Sequence, residues 1–345
     1  MPILFALLGT VVFAQQSKVI EKGKGSYESE RETHKIDVKD VKRLQIESSG
    51  GLGGTITVRS ITREPSLKFY HRYKARSVDE ALEFSKHISV ETRRSTDDLV
   101  IEAAADRDSP WQETDQSARL YLEIGVPGNV EVAVNCSFFD VEVYGPFKRV
   151  EIRDEMGAIR VLDVNGQLSV STSNSPVHIE GITGSIDVQT SNSAIRAVNI
   201  NSGTESRARF RNEYGLIDVS GLTGSIDCAT SYAAIDLRGA KLLGGSSAIA
   251  STYGAIDAEI VSFKNAQLAV SNVFSNVEIL LPENLKSRFE LKVARGGRIH
   301  MEGIAVTADL MDTESLIAET EGPDSEISVD ISGIGTISIR GEKFR

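Results

Sequence analysis

Apolar and polar residues alternate in short bursts along most of this chain, and the bursts recur at a fixed phase. Apolar pairs two residues apart begin at Val132/Val134, Val150/Ile152, Leu168/Val170 and Ile186/Val188, in steps of 18 residues. Ala208/Phe210, Ile226/Cys228, Ala248 near Ile249, and Leu268/Val270 continue the series at steps of 18 to 22. About nine residues after each start a second pair follows: Val141/Val143, Ile159/Val161, Val177/Ile179, Ile195/Ala197, Ile217/Val219, Ile235/Leu237, Ile256/Ala258 and Val277/Ile279. Alternation at period two predicts strands with one buried face, and the Gly, Asn and Ser residues between them predict turns. Burying four or five aliphatic side chains in one such unit contributes roughly 6–15 kcal/mol. Ordering its ~18 residues costs about 1–2 kcal/mol each. A unit is therefore unstable alone and needs neighbours stacked above and below.

The pattern predicts an all-β chain: a right-handed parallel β-solenoid of about eight short rungs, its strands ~4.8 Å apart and its hand set by the crossover rule. A β-sandwich of hairpins also gives evenly spaced short strands, but it has no reason to repeat like residues at like phase. This chain does so. About six residues after each start stand Phe138, Met156, Asn174, Asn192, Tyr214, Tyr232, Tyr253 and Phe274. Equal phase in a solenoid means vertical neighbours, so two amides and then four rings are expected to stack. These positions share the parity of the buried ones, which favours a structural stack. The functional alternative makes Tyr214, Tyr232, Tyr253 and Phe274 a ligand-binding strip for sugars. Between the second apolar pair the outward residues are Glu142, Arg160, His178, Arg196, Asp218, Asp236, Asp257 and Glu278. Asp218, Asp236 and Asp257 are weak candidates for calcium. The nine-residue glycine-aspartate repeat of calcium-binding solenoids is absent, so a solvated ladder is expected and no metal site is assigned.

The flanks read differently. Residues 1–14 contain a short apolar run, Ile3 to Ala14, with small residues at the positions preceding a cleavage after Ala14; this is read as a signal peptide. Residues 15–40 are charged and poor in apolar residues, and are expected to form a flexible tether. Residues 41–128 are expected to form an N-terminal β-rich capping module carrying one short helix. Ser77 and Glu80 form a capping box, and Val78, Ala81, Leu82 and Ile88 give one apolar side, so the helix should lie across the first rungs as a lid. Residues 129–283 hold the solenoid repeats, and residues 284–345 the closing strands that cover the far end.

Composition narrows the chemistry. The 345 residues are 40% hydrophobic but only 6% aromatic, so the core must be aliphatic. A net charge of −11 without a basic patch argues against nucleic acid and against anionic lipid. The five His residues are scattered, none at metal-ligand spacing with another His or Cys. No nucleophile elbow, P-loop or dinucleotide fingerprint is present, and the minimal rungs leave little from which to wall a cleft. No catalytic residue and no cofactor is expected. Cys136 and Cys228 fall five rungs apart, roughly 24 Å at ~4.8 Å per rung, whereas a disulfide needs Cα atoms within about 7 Å. Two free thiols are expected.

The texture of "GSIDVQTSNSAIRAV" and "GLIDVSGLTGSIDC", the leading "SVDEALEFSKHI" and "LYLEIGVPGNVEVAV", and the closing "SEISVDISGIGTISI" resemble the putative-adhesin β-solenoid family of bacterial envelope proteins over residues 41–340. The resemblance implies an extracytoplasmic solenoid (periplasmic, on the cell surface or secreted) and a surface interaction. It carries over no catalytic residue. Tyr, Phe and Met at the stacking phase depart from the small polar residues expected there, which changes the surface offered to a partner. The expected function is a non-enzymatic, adhesin-like structural or interaction protein of the cell envelope. Its partner is an envelope protein or glycan, and it is held in no membrane beyond the signal segment. The alternative is a carbohydrate-binding or carbohydrate-active protein using the aromatic or acidic column.

Overall fold

The structure is a computed structural model describing residues 9–13 and 18–344. The described residues are organised as β-strands with one helix, and the chain divides into two compact units, Met1–Asn165 and Gly166–Arg345.

In Gly166–Arg345 the predicted phases are real neighbours. Val177, Ile195, Ile217, Ile235, Ile256, Val277 and Ile337 are successive partners in parallel pairing. A second file runs Val188, Phe210, Cys228, Ile249, Val270, Val329. Every residue of both files is at most 2% exposed, so each repeat closes the apolar face of the next. One inward assignment is corrected. In Ser246–Ser251 the buried residues are Ser247 and Ile249, while Ala248 lies beside Asp227 and Ala269 on the outer face. A slip of one residue exchanges faces, and Ile249 rather than Ala248 continues the inner file. The Ser247 hydroxyl accepts from the Ile226 N–H at 3.2 Å, so its burial leaves no unmet polar group.

The sequence pattern missed a third inward position. Ile182, Ile200, Leu222 and Ala240 are buried five residues after the second pair begins, where simple alternation would point them outward. Immediately before them stand Gly181, Asn199, Gly221 and Gly239, all left-handed with φ of 68°, 54°, 67° and 62°. A left-handed residue kinks the strand and reverses its parity, and Gly and Asn tolerate that conformation best.

The end of this unit is not built in chain order. Ser325–Ile331 lies between Gln267–Asn272 and Ser287–Val293, parallel to both. Thr336–Glu342 lies likewise between Val277–Pro282 and Arg298–Glu302. The antiparallel strands Ser315–Glu319 and Thr307–Met311 continue outward from Ser287–Val293.

Unit Met1–Asn165 uses the same device. Arg43–Ser49 is inserted between Glu131–Asn135 and Asp98–Ala105, and Gly53–Ser60 between Phe138–Tyr144 and Ser117–Val126, all in parallel. The parallel register thus reaches into the segment read from the sequence as a capping module. Antiparallel strands then follow, with Ser66–Lys74 on Ser117–Val126 and Ile88–Arg94 on Asp98–Ala105. The expected tether is corrected. Val19–Gly23, Ser26–Ser29 and Glu32–Lys35 are strands, the latter two paired with Ser66–Lys74. Tyr27, Glu28 and Ser29 are all buried there, Glu28 paired with Arg72 at 3.1 Å, so a charge-rich composition concealed a packed strand. Gly9–Phe13 pairs antiparallel with Ile88–Arg94; the rest of the apolar run and the cleavage position after Ala14 lie outside the described residues.

The helix is Val78–Ser85. Ser77 Oγ accepts from the Glu80 N–H at 3.2 Å, and the Glu80 carboxylate accepts from the Arg76 N–H at 2.6 Å. Its buried face is Ala81, Phe84 and Ser85; of the expected side Val78, Ala81, Leu82 and Ile88, Ala81 and Ile88 are buried while Val78 is exposed and Leu82 half-buried, and Phe84 meets the Trp111 ring edge-on at 5.3 Å. The helix packs on Val19–Gly23 and Ser66–Lys74. Phe84, the largest side chain available, selects the face.

Candidate functional site

The four rings form one exposed column, and the corner between strands explains why. At the end of the first strand of successive repeats stand Asn212, Thr230, Ser251 and Asn272, all buried. Each turns inward to bond the corner backbone. Asn212 Nδ2 donates to the Ser193 carbonyl at 2.6 Å while its Oδ1 accepts from the Gly215 N–H at 3.1 Å. Asn272 does the same with the Gly254 carbonyl and the Ser275 N–H, at 2.8 and 3.0 Å. Thr230 Oγ1 and Ser251 Oγ donate to the carbonyls of Glu213 and Ala233, each at 3.3 Å. These side-chain turns end the alternation, so two residues later the chain points outward. Tyr214, Tyr232, Tyr253 and Phe274 are 53%, 53%, 51% and 46% exposed. The expectation that they share the buried parity is thereby corrected.

The expected stacking is present. Ring centres are 4.9, 5.1 and 5.2 Å apart, with planes inclined by 2°, 7° and 16°. One repeat further, Asn192 Nδ2 donates to Asn174 Oδ1 at 2.9 Å, an amide rung beside the aromatic ones. In the other unit Phe138 and Met156 occupy the same phase and are also exposed. A hydrogen bond to Glu213 holds the Tyr214 phenol above its ordinary pKa. Each ring face between Tyr214 and Phe274 is covered by its neighbour. Between its two end rings the column therefore presents ring edges and phenol hydroxyls, not the open faces on which a sugar ring stacks.

The acidic candidates also align. Asp218, Asp236, Asp257 and Glu278 are successive partners across four strands. Arginines interleave them. Arg238 bonds Asp218 and lies 3.5 Å from Asp236, Arg196 lies 3.9 Å from Asp218, and Arg340 bonds Glu278. Burial raises the Asp236 pKa; Arg238 opposes the rise, and Asp218 and Asp257 add to it. Among the described residues no group of three or more His, Cys, Asp or Glu side chains is placed to hold a metal. A shallow groove of about 260 Å³ runs over Asp236, Asp257 and Glu278.

Cys136 and Cys228 are free and buried. Burial pushes both thiols above their ordinary pKa, and Cys136 Sγ donates to Asp154 Oδ1 at 3.4 Å. No described helix is long and apolar enough to cross a membrane, which says nothing of a β-barrel.

No family model and no curated protein matches the chain. Two solved structures align with most of it. One is a putative cell adhesion protein from Clostridium sporogenes ATCC 15579, at 10% identity and a TM-score of 0.23, covering 91% of this chain and 99% of that one. The other is a putative adhesin from Bacteroides fragilis NCTC 9343, at 10% identity and a TM-score of 0.29, covering 90% and 97%. Scores this low do not establish a common fold.

Proposed function

We propose that this chain is a right-handed parallel β-solenoid serving as a non-enzymatic, adhesin-like structural or interaction protein of the bacterial cell envelope, exported beyond the cytoplasm. The observation that carries this reading is the exposed file Tyr214, Tyr232, Tyr253, Phe274, held on in-register parallel strands. Large side chains standing in solvent at a rigid corner favour contact with a partner, and the partner is an envelope protein or glycan. In the acidic file Asp218, Asp236 and Glu278 are each paired with an arginine, which favours a solvated ladder over a carboxylate pair poised for glycoside hydrolysis. The apolar run ending at Ala14 supports export.

Two measurements test the proposal. The full chain expressed in a bacterium is expected in the extracytoplasmic fraction with Gln15 as its first residue; an uncut chain confined to the cytosol overturns the location. Beads coated with the protein are expected to retain isolated cell envelopes, and Tyr232→Ser/Tyr253→Ser to lower retention about ten-fold. Equal retention by the variant removes the ring file as the contact surface.

A further inference from the structure

We infer that unit Met1–Asn165 carries a shallow binding site for an acidic oligosaccharide, with the outer face of Tyr121 as its platform. The inference rests on the reading of the protein as a non-enzymatic binder, and it places the contact on a different surface from the ring file.

The site lies on the outward face of four adjacent strands, Gly53–Ser60, Ser117–Val126, Ser66–Lys74 and Glu32–Lys35. One row across them places Tyr70 beside Tyr121 and Tyr121 beside Thr55; the next places Lys68 beside Glu123 and Glu123 beside Thr57. A groove of about 280 Å³ opens over these rows, with Arg31 at its edge, just below the range of about 300–1,000 Å³ for small-ligand sites.

The two Tyr rings are stacked, with centres 4.8 Å apart and planes 7° from parallel. Arg31 lies 4.7 Å from the Tyr70 centre. The Arg72 guanidinium is 4.9 Å from the Tyr121 centre and 5.5 Å from that of Tyr70, and it bonds the Tyr121 hydroxyl at the rim of the pair. One face of Tyr121 is therefore taken by Tyr70, and the other looks across the short side chain of Thr55. This is the feature that Tyr232 and Tyr253 of the exposed file lack, an aromatic face with no second ring against it.

A pyranose ring fits such a slot because one of its faces is made of C–H groups while its rim carries hydroxyls. The C–H face meets Tyr121, and Thr55, Thr57 and Glu123 stand at hydrogen-bonding positions around it. The charge selects among sugars. Arg31 and Arg72 share the single carboxylate of Glu28, at 4.0 and 3.1 Å, and Lys68 is 3.5 Å from Glu123. These cations stand at the Tyr70 end of the groove, whereas Asp140 and Glu142 stand beside Thr55 and Thr57 at the other end. A sugar carboxylate placed toward Lys68 and Arg31 balances the cations.

Calorimetric titration of the full chain with a galacturonic acid trimer and with a neutral cellotriose tests the site. The acidic trimer is expected to bind saturably, and Thr55→Phe, which fills the slot with a residue suited to a strand, to weaken it at least about ten-fold. Tyr121→Phe keeps the face and is expected to bind within about two-fold of the parent, whereas Lys68→Ala is expected to lose about five-fold for the acidic trimer only. Absence of saturable binding to both trimers, or a folded Thr55→Phe that binds like the parent, overturns the site. Equal affinity for the two trimers overturns the acidic assignment. Chain-length analysis of the recovered sugar separates the two readings: shortened trimer overturns the non-enzymatic reading and leaves the site standing, and intact but unbound trimer does the reverse.

Discussion

Tyr232 and Tyr253 each have a ring on both sides, whereas Tyr214 and Phe274 each have a single aromatic neighbour. Stacked pairs contribute about 0.5–1.5 kcal/mol beyond area burial. Tyr232→Ala is therefore expected to cost about 1–2 kcal/mol and Tyr214→Ala about half that. A double-mutant cycle on Tyr232 and Tyr253 should return a coupling of about 0.5–1.5 kcal/mol in urea unfolding; a coupling near zero would mean that the rings merely adjoin. His71 sets a second expectation. It is fully buried, its backbone N–H donates to Ser29 Oγ at 2.9 Å, and burial lowers its side-chain pKa from 6.5 to about 3. Below pH 6.5 the unfolded chain takes up a proton that the folded chain refuses. Stability present at neutral pH is thus lost progressively as pH falls toward about 3. His71→Leu should flatten that acid limb in pH-dependent unfolding, and an unchanged slope would assign the acid loss to other groups. The vertical alignment of the rings was legible in the sequence because equal phase makes neighbours. Their exposure was not, because the parity reversal lies in how Asn212, Thr230, Ser251 and Asn272 bond the corner backbone.

At the scale of elements, the strands were legible and their order was not. "SEISVDISGIGTISIRG" reads as two strands in any arrangement, since alternation specifies a buried face but names no partner. The structure inserts Ser325–Ile331 and Thr336–Glu342 inside the sheet, each between two earlier strands. Deleting residues 325–345 therefore removes an interior layer, not an edge. Hydrogen exchange of the truncated chain is expected to lose protection across Gln267–Pro282 and Ser287–Glu302 while Val177–Gln189 stays protected. Unchanged protection in the first two segments would contradict the inserted order. The same limit applies to Arg43–Ser60, whose parallel partners lie 55 to 88 residues downstream. The helix shows the converse case. Its cap at Ser77 and Glu80 is local chemistry and was readable, but its buried face follows from contact with Trp111.

At the scale of the whole molecule, the sequence by itself determined the all-β class, the repeat step and the aliphatic core of the repeats. These rest on alternation and periodicity, which are properties of neighbouring residues. It also fixed which side chains share a file, from Val177 through Ile195 and Ile217 to Ile235, because strands paired in parallel and in register place equal phases together. Only the tertiary structure decided that residues 19–35 are strands despite their charge, that the first and last parallel layers are tucked inside their units, and that the rings of the file face solvent. Only it set the second face of Tyr121 free, because a pair of tyrosines on outward positions in "SLKFYHRY" and "RLYLEIGV" reveals neither their stacking nor the small Thr55 beside them. The physical reason is common to all of these. Local pattern states which face a residue prefers, whereas exposure, insertion and free surface depend on what arrives from distant parts of the chain to cover it.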